Sequence, residues 1–175
     1  MDYVKLYNLD EKNVFKEISY DEFMNMFETF QSGLVLLGGA WCKNAQLIVP
    51  VLNKIAKENN VSVVYNFDLK YLNDFGVQGD LRTGTSLNHR LEYFNICQKT
   101  GIESEKTVGN TMMPRIPSPT LIAIRNGSTQ EYMTFKYVDD ELKDKNSLTE
   151  EEYKDFETKV LKLIEESKTD DRFLL

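Results

Sequence analysis

The chain has 175 residues, and its 21 Lys and Arg against 28 Asp and Glu give a formal charge of −7. That length suits one ordinary core, so a single domain is expected over residues 1–175. The acidic residues are dispersed, which argues against nucleic acid and anionic membranes as partners, because both recruit clustered Lys and Arg.

The opening residues Met1-Asp2-Tyr3-Val4-Lys5 lack the basic segment and apolar core of a signal peptide, and no apolar run reaches the length of a membrane span. The expected location is therefore the cytoplasm. Two cysteines, Cys42 and Cys97, with one histidine, His89, leave little material for a disulfide framework, a metal cluster or a Cys/His catalytic pair. No metal and no cofactor is expected.

In chain order, Val14–Ile18 reads as a short strand. Ser19 and Glu22 form a capping box, and Phe23, Met26, Phe27 and Phe30 recur at helical spacing until Gly33 supplies a stop. Leu34–Leu37 is apolar without alternation, the habit of a central strand covered on both faces. The turn Gly38-Gly39-Ala40-Trp41-Cys42 follows. Leu47, Ile48, Val51, Leu52 and Ile55 then mark one face of a helix running to about Asn59. Val61–Phe67, rich in β-branched and aromatic residues, is the next strand, and the three elements together make a βαβ unit.

Asn73–Ser86 reads as a polar loop punctuated by Gly76, Gly79 and Gly84. Leu87, Leu91, Phe94 and Cys97 fall on one face of a helix that closes near Gly101, which predicts that this face is buried and that Cys97 is a small core residue. His89, beside Arg90, reads as solvent-facing. Three prolines in Met113–Pro119 impose an extended approach to a strand at Thr120–Arg125. Asn126-Gly127 then signals a hairpin to Gln130–Tyr137. A charged connection, Asp139–Lys145, leads to a final helix capped by Thr149 with Glu152. Tyr153, Phe156, Val160, Leu163 and Ile164 form its apolar stripe, and Glu150–Glu152 complement its dipole. The tail Thr169–Leu175 reads as frayed.

The order of these elements, with Trp41-Cys42 at a strand-to-helix turn, Pro50 within the following helix, Asp68 after the next strand and Ser118-Pro119-Thr120 before the hairpin, resembles the thioredoxin-like superfamily. The resemblance covers about 14–68 and 112–167 and leaves about 69–111 as an insertion. It implies an α/β fold with a central mixed sheet flanked by helices, a cis peptide at Pro119, and substrate contacts from Trp41, Ser118 and Pro119 beside a catalytic Cys42. The layout is also similar to that of small bacterial proteins accessory to bacteriocin transport.

Two departures from the family pattern bear on chemistry. The second cysteine of Trp-Cys-x-x-Cys is Ala45 here, and apolar Leu36 and Leu37 stand where thioredoxins carry a buried acid. A cysteine at a helix start, next to Lys43, is placed to act as a thiolate. Without a neighbouring thiol to resolve a mixed disulfide, it needs an external one. The expected activity is single-thiol exchange with protein or small-molecule thiols and disulfides. The alternative is a redox-inactive binding module for a peptide or partner protein. Cys97 could restore a two-thiol mechanism only if its Cα came within about 7 Å of that of Cys42.

Overall fold

The computed structural model describes residues 1–139 and 144–173. Parts of the Asp139–Lys145 connection and of the C-terminal tail therefore lie outside the described residues. A five-stranded sheet forms the centre, built from β1 (Phe15–Glu17), β2 (Gly33–Leu37), β3 (Val64–Phe67), β6 (Thr120–Arg125) and β7 (Ser128–Thr134). Its order is β1-β3-β2-β6-β7. The first three strands run parallel, while β6 lies antiparallel to β2 and β7 antiparallel to β6.

Helices cover both faces. Leu34 and Leu36 of β2 join one apolar cluster with α1 (Tyr3–Tyr7), α3 (Lys43–Glu58) and α5 (Glu150–Glu166). Val35 and Leu37 join the other, with α2 (Tyr20–Glu28) and α4 (Leu87–Thr100). Both clusters draw on alternate residues of one strand, so β2 is buried on both faces, as its unbroken apolar run predicts. This mixed sheet with helices on each side is the thioredoxin-like fold.

The start and stop signals explain most boundaries. Ser19 and Glu22 close a reciprocal capping box on α2, and Thr149 and Glu152 do the same on α5, each contributing about 1 kcal/mol. Asn126 and Gly127 both hold positive φ, 48° and 76°, at the β6–β7 turn, as a type I′ hairpin requires. Any Cβ at Gly127 would meet the Phe27 carbonyl oxygen at 2.6 Å. Pro50 sits inside α3 and deprives the Gln46 carbonyl of its helical donor.

Several expectations need correction. Helix α2 ends at Glu28, Phe30 takes φ 57° and is exposed, and Gly33 opens β2 instead of closing the helix. Only Val64–Phe67 of the 61–67 run pairs as a strand. The expected polar loop contains a hairpin of β4 (Lys70–Leu72) and β5 (Gln78–Asp80), followed by a 3-10 turn at Leu81–Thr83.

The largest correction concerns α4. Leu87, Leu91 and Phe94 are 70%, 52% and 46% exposed, while Tyr93, Ile96, Cys97 and Thr100 are buried. The helix turns its other face inward because Tyr93 and Ile96 pack into the cluster that holds Phe23 and Phe27 of α2. His89 is half-buried, its ring 4.0 Å from that of Tyr71. Helix α1 had no counterpart in the sequence reading. Asp2 caps it by accepting from the Lys5 N–H, and Tyr3 and Tyr7 bury on one side. No helix among the described residues is long and apolar enough to cross a membrane.

Candidate functional site

The site forms where β2 ends and α3 begins. Asn66 on β3 is fully buried and donates to the carbonyl oxygens of Leu36 and Gly38, at 3.0 and 2.9 Å. Its own Oδ1 accepts from the Tyr3 hydroxyl at 3.0 Å. A buried carbonyl without a donor costs about 1–3 kcal/mol, so this one side chain makes the exit from β2 tolerable. Two glycines give the turn room. A Cβ on Gly38, at φ 145°, would come within 2.7 Å of Ser118 Oγ, and one on Gly39 within 2.4 Å of the Asp68 carboxylate.

Cys42 occupies the N-cap position of α3 in extended backbone, and its side chain makes no capping hydrogen bond. The sulfur is left to face the Ser118 loop. Its thiol donates to the Ser118 carbonyl oxygen across 3.3 Å. The Ser118–Pro119 peptide is cis, and the Ser118 hydroxyl is buried without a hydrogen-bond partner. Cys42, Ser118 and the residues before Pro119 line one side of a groove of about 680 Å³, with Tyr132 and Phe135 contributing to its other walls.

Trp41 is held on several sides. Its indole N–H donates to Asp68 Oδ1 at 2.8 Å, and that oxygen also accepts from the Lys70 N–H at 2.9 Å. Burial pushes the Asp68 carboxyl above its usual range, and these two donors oppose the shift without cancelling it. The Lys70 ammonium stands 4.3 Å from the centre of the indole and the Arg82 guanidinium carbon 5.4 Å, both within cation–π range. The Tyr7 hydroxyl, buried and unpartnered, is raised above its ordinary range by burial first and then by its neighbours Asp68 and Cys42.

Asn44 is a further organiser that sequence reasoning missed. Its Oδ1 accepts from the N–H groups of Tyr137 and Val138, at 2.6 and 3.0 Å, and its Nδ2 donates to the Val138 carbonyl at 3.0 Å. The chain leaving β7 is thereby fastened to the first turn of α3. Lys43, beside the thiol in sequence, donates to Asn146 Oδ1 at 3.3 Å. Asx side chains in turns bind backbone readily, so Asn44 carried a hint, but its partners are over ninety residues away.

The structure thus gathers Trp41, Cys42, Ser118 and Pro119 into one place. Cys97 is separate. Both cysteines are free, and Cys97 lies in the apolar cluster on the α2/α4 face, whereas Cys42 packs against the α1/α3/α5 cluster on the opposite face. Burial raises the Cys97 thiol, and Tyr93 is its hydrogen-bonding neighbour. Ala45 is fully buried one turn into α3.

No family model matches the chain, and no curated protein matches it either. Solved structures that resemble it are thioredoxins. Thioredoxin NaTrxh from Nicotiana alata aligns over 88% of this chain and 96% of its own, with 13% identity and a TM-score of 0.46. Oxidised thioredoxin O2 from Arabidopsis thaliana aligns over 75% and 89%, with 16% identity and a TM-score of 0.40. Thioredoxin f2 from Chlamydomonas reinhardtii aligns over 69% and 82%, with 18% identity and a TM-score of 0.38. The thioredoxin-like fold of this chain is defined by its own strand order and directions.

Proposed function

We propose that the protein carries out thiol–disulfide exchange through Cys42 alone, with an external thiol completing each cycle. The observation that carries this reading is the Cys42 sulfur at the start of α3, uncommitted to capping, 3.3 Å from the Ser118 carbonyl beside a groove of about 680 Å³. The deprotonated Cys42 sulfur attacks one sulfur of a substrate disulfide. A Cys42–substrate S–S bond forms as the substrate S–S bond breaks, and the other half leaves as a thiolate.

Ala45 cannot resolve this adduct. An external thiolate attacking the Cys42 sulfur releases the substrate as a thiol, and a second external thiol then frees Cys42. Two thiols are oxidised to one disulfide for each substrate disulfide reduced. Trp41 supplies a flat wall beside the sulfur, Ser118 offers backbone to an extended substrate as an added strand would meet it, and Pro119 shapes the loop that presents it. The cytoplasm suits this chemistry, because a lone thiol stays reduced there. In this reading residues 1–175 act as a single domain, with about 69–111 inserted.

Reduction of insulin disulfides tests the proposal. Turnover should require added glutathione or a similar thiol, and turnover by the protein alone would refute the single-thiol mechanism. A second reading is a peptide-binding module that does no chemistry, favoured by the buried Ala45 in place of a second thiol. Cys42→Ser separates the two, since a binding module keeps its ligand in that variant and an exchange protein loses its activity.

A further inference from the structure

The segment between β3 and the proline loop does more than add surface. Arg82, in the 3-10 turn after β5, is only 7% exposed, which is rare for an arginine unless it is paired. Its Nε and Nη2 donate to the two carboxylate oxygens of Asp80 at 2.9 and 2.8 Å, a two-point contact that fixes the guanidinium plane. The remaining nitrogen, Nη1, donates to the Ile116 carbonyl at 3.0 Å. The same guanidinium lies beside the Trp41 ring and lines the groove next to Cys42.

Ile116 is held from its other end as well. The Tyr93 hydroxyl of α4 accepts from the Ile116 N–H at 3.0 Å and donates to the Pro114 carbonyl. Both backbone groups of Ile116 are therefore taken by residues of the 69–111 segment. Two residues further on is Ser118, whose carbonyl receives the Cys42 thiol.

We propose that Arg82 is a positioning residue for the Cys42 site: it ties Trp41, which precedes the thiol, to Ile116, which leads into Ser118, and so sets the width of the groove for an extended peptide disulfide. Its activity readout rests on the single-thiol reading of Cys42. The 69–111 segment then governs which substrates reach the sulfur, while the sulfur itself belongs to the α3 turn. A small displacement of a positioning group is enough to cost an order of magnitude or more in rate.

The test compares wild type with two variants. Asp80→Asn/Arg82→Met removes the guanidinium without leaving a lone buried carboxylate, and Tyr93→Phe releases Ile116 without touching Trp41. Cys42 is reacted with a small aromatic disulfide and with an extended peptide disulfide. Emission of Trp41, the sole tryptophan, is recorded alongside, and thermal melting confirms folding.

In the double variant the peptide rate should fall about tenfold more than the small-disulfide rate, and Trp41 emission should shift to the red. Tyr93→Phe should show the peptide-selective loss with little change in emission. Equal losses with both disulfides, or no loss in folded protein, would overturn the proposal. If the double variant does not fold, an unchanged peptide rate in Tyr93→Phe overturns it equally. Should wild-type Cys42 react with neither disulfide, the single-thiol reading fails by itself. Unchanged emission in the double variant would then still refute the positioning role.

Discussion

Asn44→Ala is the sharpest structural perturbation near the thiol. The side chain makes three hydrogen bonds to Tyr137 and Val138, two as acceptor and one as donor. Each such bond contributes about 1 kcal/mol net, and a backbone group left unpaired behind it costs more where water cannot reach. The site is half-buried, so solvent recovers part of the loss, and about 2 kcal/mol is expected. For a chain of this size that corresponds to a fall in Tm of roughly 4–8 °C. Urea denaturation followed by circular dichroism measures it, and hydrogen exchange at the amides of Tyr137 and Val138 localises it. Asn44→Asp keeps the acceptor for both N–H groups and loses only the donor, so it should lose less than Asn44→Ala. A loss below about 0.5 kcal/mol for the alanine variant, with unchanged exchange at 137 and 138, would refute the claim that Asn44 fastens this segment.

Other outcomes follow from the same geometry. The Asp68 carboxyl is raised by burial despite its two donors, so the folded state holds this proton above the pH at which the unfolded chain releases it. Stability from this group is accordingly greater at low pH and is lost as pH rises from the ordinary carboxylate range through the raised folded value. Asp68→Asn keeps an acceptor for Trp41 and Lys70, and should flatten that dependence in melts from pH 3 to 7; an unchanged slope would contradict it. Gly127→Ala places a Cβ 2.6 Å from the Phe27 carbonyl at φ 76°, and should cost at least about 1 kcal/mol in denaturant titrations. In native protein, alkylation with iodoacetamide should modify Cys42 quickly and buried Cys97 only on unfolding, read by peptide mass mapping. Equal native rates would contradict the placement of the two thiols.

The parts of the fold that were legible are those in which local chemistry and tertiary environment agree. β2 over Leu34–Leu37 and β6 over Leu121–Ile124 are unbroken apolar runs because both of their faces are covered. Ser19 and Thr149 mark the starts of α2 and α5, and Asn126-Gly127 the turn after β6, each through bonds or dihedrals made locally. Helix α4 misled because it carries apolar residues on two sides. Leu87, Leu91 and Phe94 make the better periodic stripe, yet Tyr93 and Ile96 reach α2 and the proline segment. The β4–β5 strands, Lys70–Leu72 and Gln78–Asp80, are too short to show alternation.

At the site, Trp41, Cys42, Ser118 and Pro119 were readable because their types and order are distinctive. Asn44, Asn66 and Arg82 were not. Each acts through a hydrogen bond to backbone far away in sequence, and a carbonyl awaiting a donor leaves no trace in residue identity.

The most direct measurement is the mass of the protein after exposure to an excess of a peptide disulfide, with no other thiol present. A single-thiol mechanism at Cys42 predicts one persistent adduct of one peptide half, mapped to Cys42, absent from Cys42→Ser and removed by added glutathione. Absence of an adduct in native wild-type protein, or its spontaneous loss with oxidation of Cys97, would contradict it.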